Sequence, residues 1–200
     1  LKIFKRIVIG VPLLCFFVWL GYMLVGGNFF TVEDGMIYRS AQPSRAMIEK
    51  YHDEYGIKSI INLRGKHTEE DWYNEEVNES AKLGIVHFDL PFSATHEATQ
   101  TQMEILLKTI REAPKPLWIH CAGGSDRTGL AVSLYMYGIK QQDAKHAKKG
   151  LSLFYGHFPY LWSKTGAMDR SFDNFIYLHE QSKVTRIERD KNISKFQIKR

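Results

Sequence analysis

Residues 117–137 constrain this chain more than any other stretch. Leu117, Trp118 and Ile119 form a short apolar run, and a polar loop holding Gly123 and Gly124 follows at once. From Arg127 to Tyr137 the sequence turns apolar again, over a length that suits a helix. A buried strand, a tight loop and a buried helix in immediate succession form half of a parallel strand–helix unit. Such a junction gathers backbone N–H groups and a helix N-terminus around one point, which favours an anion.

The flanking sequence repeats the alternation. Met36 to Arg39 reads as a short extended run, and Ser40-Ala41-Gln42-Pro43 as a turn. Ser44 is placed to cap a helix that carries Met47, Ile48 and Tyr51 on one face and stops at Gly56. Ser59 to Leu63 reads as a buried strand, Glu69 to Leu83 as a polar helix ended by Gly84, and Ile85 to Asp89 as the next strand. Thr99 to Arg111 sets Met103, Leu106, Leu107 and Ile110 at helical spacing before Pro114 and Pro116. Strands alternating with helices predict an α/β fold, with a central, mainly parallel sheet flanked by helices. An apolar fraction of 44% in 200 residues supplies the core of one domain, expected over 31–182.

The two ends differ from this body. Ile7 to Val25 carries no charge, and Lys2, Lys5 and Arg6 precede it. Nineteen helical residues span roughly 28 Å, about the thickness of a hydrocarbon core. Residues 1–28 are therefore predicted to be a membrane anchor, or a signal-like segment, with the membrane as partner through 7–25. Residues 183–200 read as a basic, weakly patterned tail. The net charge of +5 belongs to these ends: with +3 in the first six residues and +4 from residue 179 onward, 7–178 is net −2. A domain of that sign does not offer the basic face of a nucleic-acid binder.

Of the two cysteines, Cys15 lies in the apolar run and Cys121 in the Gly-rich loop, so no disulfide framework is expected. No His, Cys, Asp or Glu cluster has metal-ligand spacing, and no metal or cofactor is expected. The loop reads His120-Cys121-Ala122-Gly123-Gly124-Ser125-Asp126-Arg127-Thr128-Gly129. A helix N-terminus with an arginine nearby lowers the pKa of a thiol and favours the reactive thiolate. Arg127 can curl back and offer a bidentate fork to phosphate oxygens. Gly123 and Gly124 remove side chains that would block close approach. The hydroxyl of Thr128 is placed to donate to the sulfur. Residues 122–127 are thus expected to bind phosphate, with Cys121 as nucleophile. Cys, Arg, His120, Gly124, Thr128 and Gly129 together arise by chance on the order of once in a million chains, so the buried-thiol alternative is set aside.

This segment resembles the His-Cys-x5-Arg-Thr-Gly signature of the protein tyrosine phosphatase superfamily. Residues 36–139 resemble its compact dual-specificity branch. Tyr38-Arg39-Ser40-Ala41-Gln42-Pro43 and Asn62-Leu63-Arg64 are similar to stretches of its atypical bacterial and plant or fungal members. Membrane-anchored or exported bacterial members share the layout. The resemblance implies a metal-free, two-step phosphomonoester hydrolysis through a cysteinyl-phosphate. With the positive-inside bias, it implies a catalytic domain on the periplasmic side of a bacterial inner membrane. The substrate it implies first is phosphotyrosine protein. Phosphoserine or phosphothreonine, phosphoinositides and phosphatidylglycerophosphate are alternatives, and a non-catalytic phosphate-binding module is a further one.

The leaving oxygen needs a proton donor. Many members carry an Asp on a loop about 25 to 40 residues before the nucleophile, as the resemblance implies. Here Asp89 is the only Asp in that region, at a strand end, with His96 and Glu97 further along. Asp126, inside the loop itself, resembles the donor of some lipid-directed and bacterial members, and it also complements the helix dipole. Asp126 is preferred, with Asp89, His96 and Glu97 open. His120 is expected to hold the loop. Arg39 and Arg64 are expected either to line the rim or to form structural ion pairs. His157 is expected to be a satisfied structural histidine.

Overall fold

The computed structural model describes residues 2–198. Five strands, β1 (Phe30–Glu33), β2 (Ile37–Ser40), β3 (Ser59–Asn62), β4 (Val86–Asp89) and β5 (Leu117–His120), form one sheet in the order β1-β2-β5-β3-β4. All pairings are parallel except β1 with β2. The expected α/β fold with a mainly parallel, helix-flanked sheet is what the chain adopts. β1 was not anticipated. It is half of a hairpin turned at Asp34-Gly35, where Gly35 has φ +65°.

Strand alternation divides the core. Ile37, Ile61, Leu117 and Ile119 face one side, against α4 (Gln100–Glu112), α5 (Asp126–Gly138) and the start of α7 (Gly166–Ile198). Tyr38, Ile60 and Trp118 face the other, against Ile48 of α2 (Arg45–Tyr55) and Leu83, just beyond α3 (Asp71–Lys82). The caps are those the sequence signals: Ser44 accepts from the Met47 N–H, Gly56 closes α2 in the left-handed region, and Thr99 opens α4 with a capping box. The parallel register aligns Ser40, His120, Asn62 and Asp89 at the C-terminal ends of adjacent strands. Open α/β sheets place their ligands at this edge. After α5 comes a one-turn helix, α6 (Ala144–Ala147), and an irregular strap over 148–165 leads into α7. α7 continues to Ile198, through the segment read from sequence as a weakly patterned tail.

The N-terminal expectation is corrected. The apolar run does form a helix, α1 (Lys2–Val25). Among the described residues, however, no helix is long and apolar enough to cross a membrane. The expected membrane anchor, the membrane as partner through 7–25 and the periplasmic-side location are withdrawn on that finding. The last turns of α1 contact the domain. The Trp19 indole N–H donates to the Phe154 carbonyl at 3.0 Å. Trp19, Phe30 and Phe154 line one cavity, and the Met23 methyl lies close to Gly156.

Candidate active site

The loop from Cys121 to Ser125 joins β5 to α5 at that sheet edge. Cys121 sits at its base, 2% exposed. Gly124 has φ +71°, and a Cβ there would lie 2.5 Å from the Ser40 carbonyl carbon and the Ala41 nitrogen. Only glycine fits. Gly123 differs from the expectation, since its φ is ordinary and a Cβ would meet nothing closer than Ser125 Oγ at 3.8 Å. Ser125 precedes α5 without a side-chain capping bond, so the first N–H groups of that helix remain directed at the loop. Arg127 donates through Nη1 to the Phe92 carbonyl at 3.3 Å, and its Nε is buried with no partner in the protein. Thr128 is buried, and its hydroxyl has no hydrogen-bond partner, so the expected bond to the Cys121 sulfur is not formed in this state.

Behind the loop lies a polar network that sequence reasoning missed. Glu76 of α3, 1% exposed, accepts from His120 Nε2 at 2.8 Å and His87 Nε2 at 2.7 Å, and from the Gln42 amide. Burial works to raise its pKa, but the facing imidazoles of His120 and His87 prevail and bring it down to about 2. Gln42 in turn donates its backbone N–H to the Ala122 carbonyl at 3.1 Å and accepts from Arg64 Nη1 at 2.8 Å. The His120 ring was expected to hold the loop by its own hydrogen bonds; it bonds Glu76 instead, a carboxylate from a helix that reads as a polar helix, and reaches the loop only through Glu76 and Gln42.

The two rim arginines separate. Arg39 is fully buried, neither on the rim nor ion-paired. Its Nη2 donates to the Gly124 carbonyl at 2.7 Å and its Nη1 to the Gly150 carbonyl at 3.0 Å, and its guanidinium lies 3.8 Å from the Tyr155 ring centre. Burial pushes its pKa down to about 10. Arg64 lies over Trp72, 3.3 Å from the ring centre. Its pKa is lowered, by burial first and then by repulsion from Arg127.

The donor candidates are in unlike positions. Asp89 has both oxygens engaged: Oδ1 accepts from Asn62 Nδ2 at 2.9 Å and Oδ2 from the Tyr73 hydroxyl at 2.5 Å. Burial, then the bond to Asp89, pushes the Tyr73 phenol up to about 12. Glu97 is exposed and binds Arg170 at 2.5 Å and Asn174 at 3.2 Å. His96 is exposed and bonds Ser93 Oγ at 3.0 Å. Asp126 stands on the loop with its side chain 24% exposed. Its Oδ1 meets His157 Nδ1 at 2.7 Å, and His157 Nε2 meets Asp169 Oδ2 at 2.8 Å.

A family model described as a DSP-PTPase phosphatase fused to NAD+ kinase matches residues 27–161. No curated protein matches the chain. Solved structures with the same fold include P. aeruginosa TpbA in complex with pTyr, at 17% identity and a TM-score of 0.57, over 74% of this chain and 83% of that one. PTPMT1 in complex with PI(5)P aligns at 12% identity and a TM-score of 0.58, over 76% of this chain and 98% of that one. The catalytic domain of the S. cerevisiae PP-IP phosphatase SIW14, in complex with citrate, aligns at 23% identity and a TM-score of 0.58, over 82% of this chain and 93% of that one.

Proposed function

The chain belongs to the family of DSP-PTPase phosphatase domains described as fused to NAD+ kinase, and from that premise we propose that it hydrolyses phosphomonoesters through a cysteinyl-phosphate on Cys121. The observation that carries this reading is the loop. A near-buried thiol sits at the base of a glycine-bearing loop that runs into a helix N-terminus without a side-chain cap, and a buried Arg127 Nε has no partner among the described residues. An orphaned guanidinium N–H costs free energy unless an anion meets it.

In the first step the Cys121 thiolate attacks phosphorus. The S–P bond forms as the P–O bond to the leaving oxygen breaks, and Asp126 gives that oxygen its proton. Arg127 and the loop amides hold the three phosphoryl oxygens through the transition state. In the second step water attacks phosphorus and the S–P bond breaks. Asp126, now a carboxylate, takes the water proton, and inorganic phosphate leaves. The choice of Asp126 is supported by Asp89, whose two oxygens are already bound to Asn62 and Tyr73.

Phosphotyrosine protein is the substrate class proposed first. A second reading, a multiply phosphorylated lipid or inositol headgroup, is favoured by Arg64, whose Nη1 donates to Gln42, itself bonded to the Ala122 carbonyl of the loop, and which would meet a second anionic group there. Hydrolysis of p-nitrophenyl phosphate by the full chain, with Cys121→Ser alongside, tests the activity. The substituted protein is expected to lose about 10³-fold or more in kcat/KM. No turnover by the unsubstituted chain would overturn the reading. Phosphotyrosine peptides run against phosphoinositides and inositol polyphosphates would rank the two substrate classes.

A further inference from the structure

The strap over 150–157 is fixed to the phosphate loop at three points. Arg39 binds the carbonyls of Gly124 and Gly150 together. Asn28 Nδ2 donates to the carbonyls of Gly123 at 2.9 Å and Tyr155 at 3.0 Å. Gly156 lies so close to the loop that a Cβ there would stand 2.8 Å from Ser125 Oγ. A segment anchored in this way holds the next side chain, His157, in one place.

His157 is 2% exposed, and both of its ring nitrogens face carboxylates. Asp126 comes from the first turn of α5 and Asp169 from the first turn of α7. Beyond Asp169 stands Lys148, 3.9 Å from its Oδ1 and 2.7 Å from Asp173. A histidine needed for packing alone would be satisfied by a carbonyl or a hydroxyl. Two carboxylates on one buried ring hold it where a proton can be stored.

We propose that His157 is a positioning residue that stores the catalytic proton for Asp126, so that the hydrogen-bonded pair, oriented by Asp169, acts as a single acid and base. The idea rests on the reading of Asp126 as proton donor. The proton crosses the 2.7 Å contact between His157 Nδ1 and Asp126 Oδ1. When the leaving oxygen takes it, the pair is left as a carboxylate facing a neutral imidazole, with the other ring N–H directed at Asp169. Two acceptors facing each other are strongly basic, and the water of the second step restores the proton. The pair therefore begins and ends the cycle in the same state. Burial works to lower the His157 pKa, but the bonds to Asp126 and Asp169 outweigh it, and the pKa is raised. The proton is thus kept to a higher pH than a lone carboxyl could keep it.

The test compares pH–rate profiles of kcat/KM for phenyl phosphate, whose leaving group needs the proton, with those for p-nitrophenyl phosphate, whose leaving group needs it far less. His157→Gln keeps one donor and most of the volume. It is expected to lower phenyl phosphate turnover by about 100-fold, to change p-nitrophenyl phosphate by less than about 5-fold, and to move the basic limb to lower pH. Asp169→Asn leaves the ring in place and is expected to move the limb the same way by less, which keeps the test decisive should His157→Gln fail to fold. Equal losses on both substrates with an unmoved limb in these variants would mark a structural residue and overturn the proposal. Asp126→Asn separates the two ideas. If it spares the difference between the substrates, the donor lies elsewhere and the reading beneath the proposal fails. If it slows phenyl phosphate far more than p-nitrophenyl phosphate while the His157 and Asp169 variants keep the wild-type limb, only the proposal fails.

Discussion

At the residue scale, Cys121 and Arg127 are separated by one tight loop, and everything that relates them is local. Spacing, glycines and a following helix suffice to place a thiol and a guanidinium around one anion. The strand–loop–helix junction that carries the two residues was legible in the sequence. Which of the candidate donors is already engaged was not, because Asp89, His96, Glu97 and Asp126 differ in who their partners are, and partners come from distant segments. Asn62 and Tyr73 occupy Asp89, and Arg170 holds Glu97. This gives a contrast to measure. Asp126→Asn is expected to cut phenyl phosphate turnover by about 10²-fold or more and to remove the basic limb of the pH profile. Asp89→Asn is expected to leave that limb in place and to lower thermal stability, since the Tyr73 hydroxyl loses its charged acceptor. The reverse result would reassign the donor.

At the scale of elements, caps and periodicity made α2, α4 and α5 readable, because a helix states its own ends and its buried face. β1 was missed because a four-residue edge strand has too few positions to show a pattern, and only the Asp34-Gly35 turn marks it. The loop between β5 and α5 depends on its neighbours more than its glycines suggest. Gly123→Ala meets only Ser125 Oγ, at an ordinary contact distance of 3.8 Å, and is expected to be nearly neutral in stability. Gly124→Ala combines φ +71° with a clash against the backbone of Ser40 and Ala41. It is expected to destabilise by more than about 1 kcal/mol in chemical denaturation and to abolish turnover, since the loop must open to relieve the contact. Equal behaviour of the two variants would contradict the close approach seen here.

At the scale of the whole molecule, the sheet edge is where distant segments meet. Glu76 from α3, His87 from β4, His120 from β5 and Gln42 from the turn after β2 form one buried network under the loop. Its carboxylate titrates at about 2 in the folded chain, against 4.5 ordinarily. A depressed carboxylate contributes stability that is complete above its unfolded pKa and is lost as pH falls towards the folded value. Urea unfolding is therefore expected to show a stability loss between about pH 5 and pH 2 that Glu76→Gln reduces, with the variant less stable than the parent at pH 7. A parent and variant with parallel pH profiles would remove Glu76 from this role. By itself the sequence determined the alternating α/β order, the helix caps and the glycine loop between β5 and α5, because each is set by residues within a few positions of one another. Only the tertiary structure decided that Arg39 is a buried strut, that α1 turns its last residues onto the domain, and that Asp126, His157 and Asp169 form a chain of hydrogen bonds. Those outcomes depend on which distant backbones are brought together, and no local pattern encodes that.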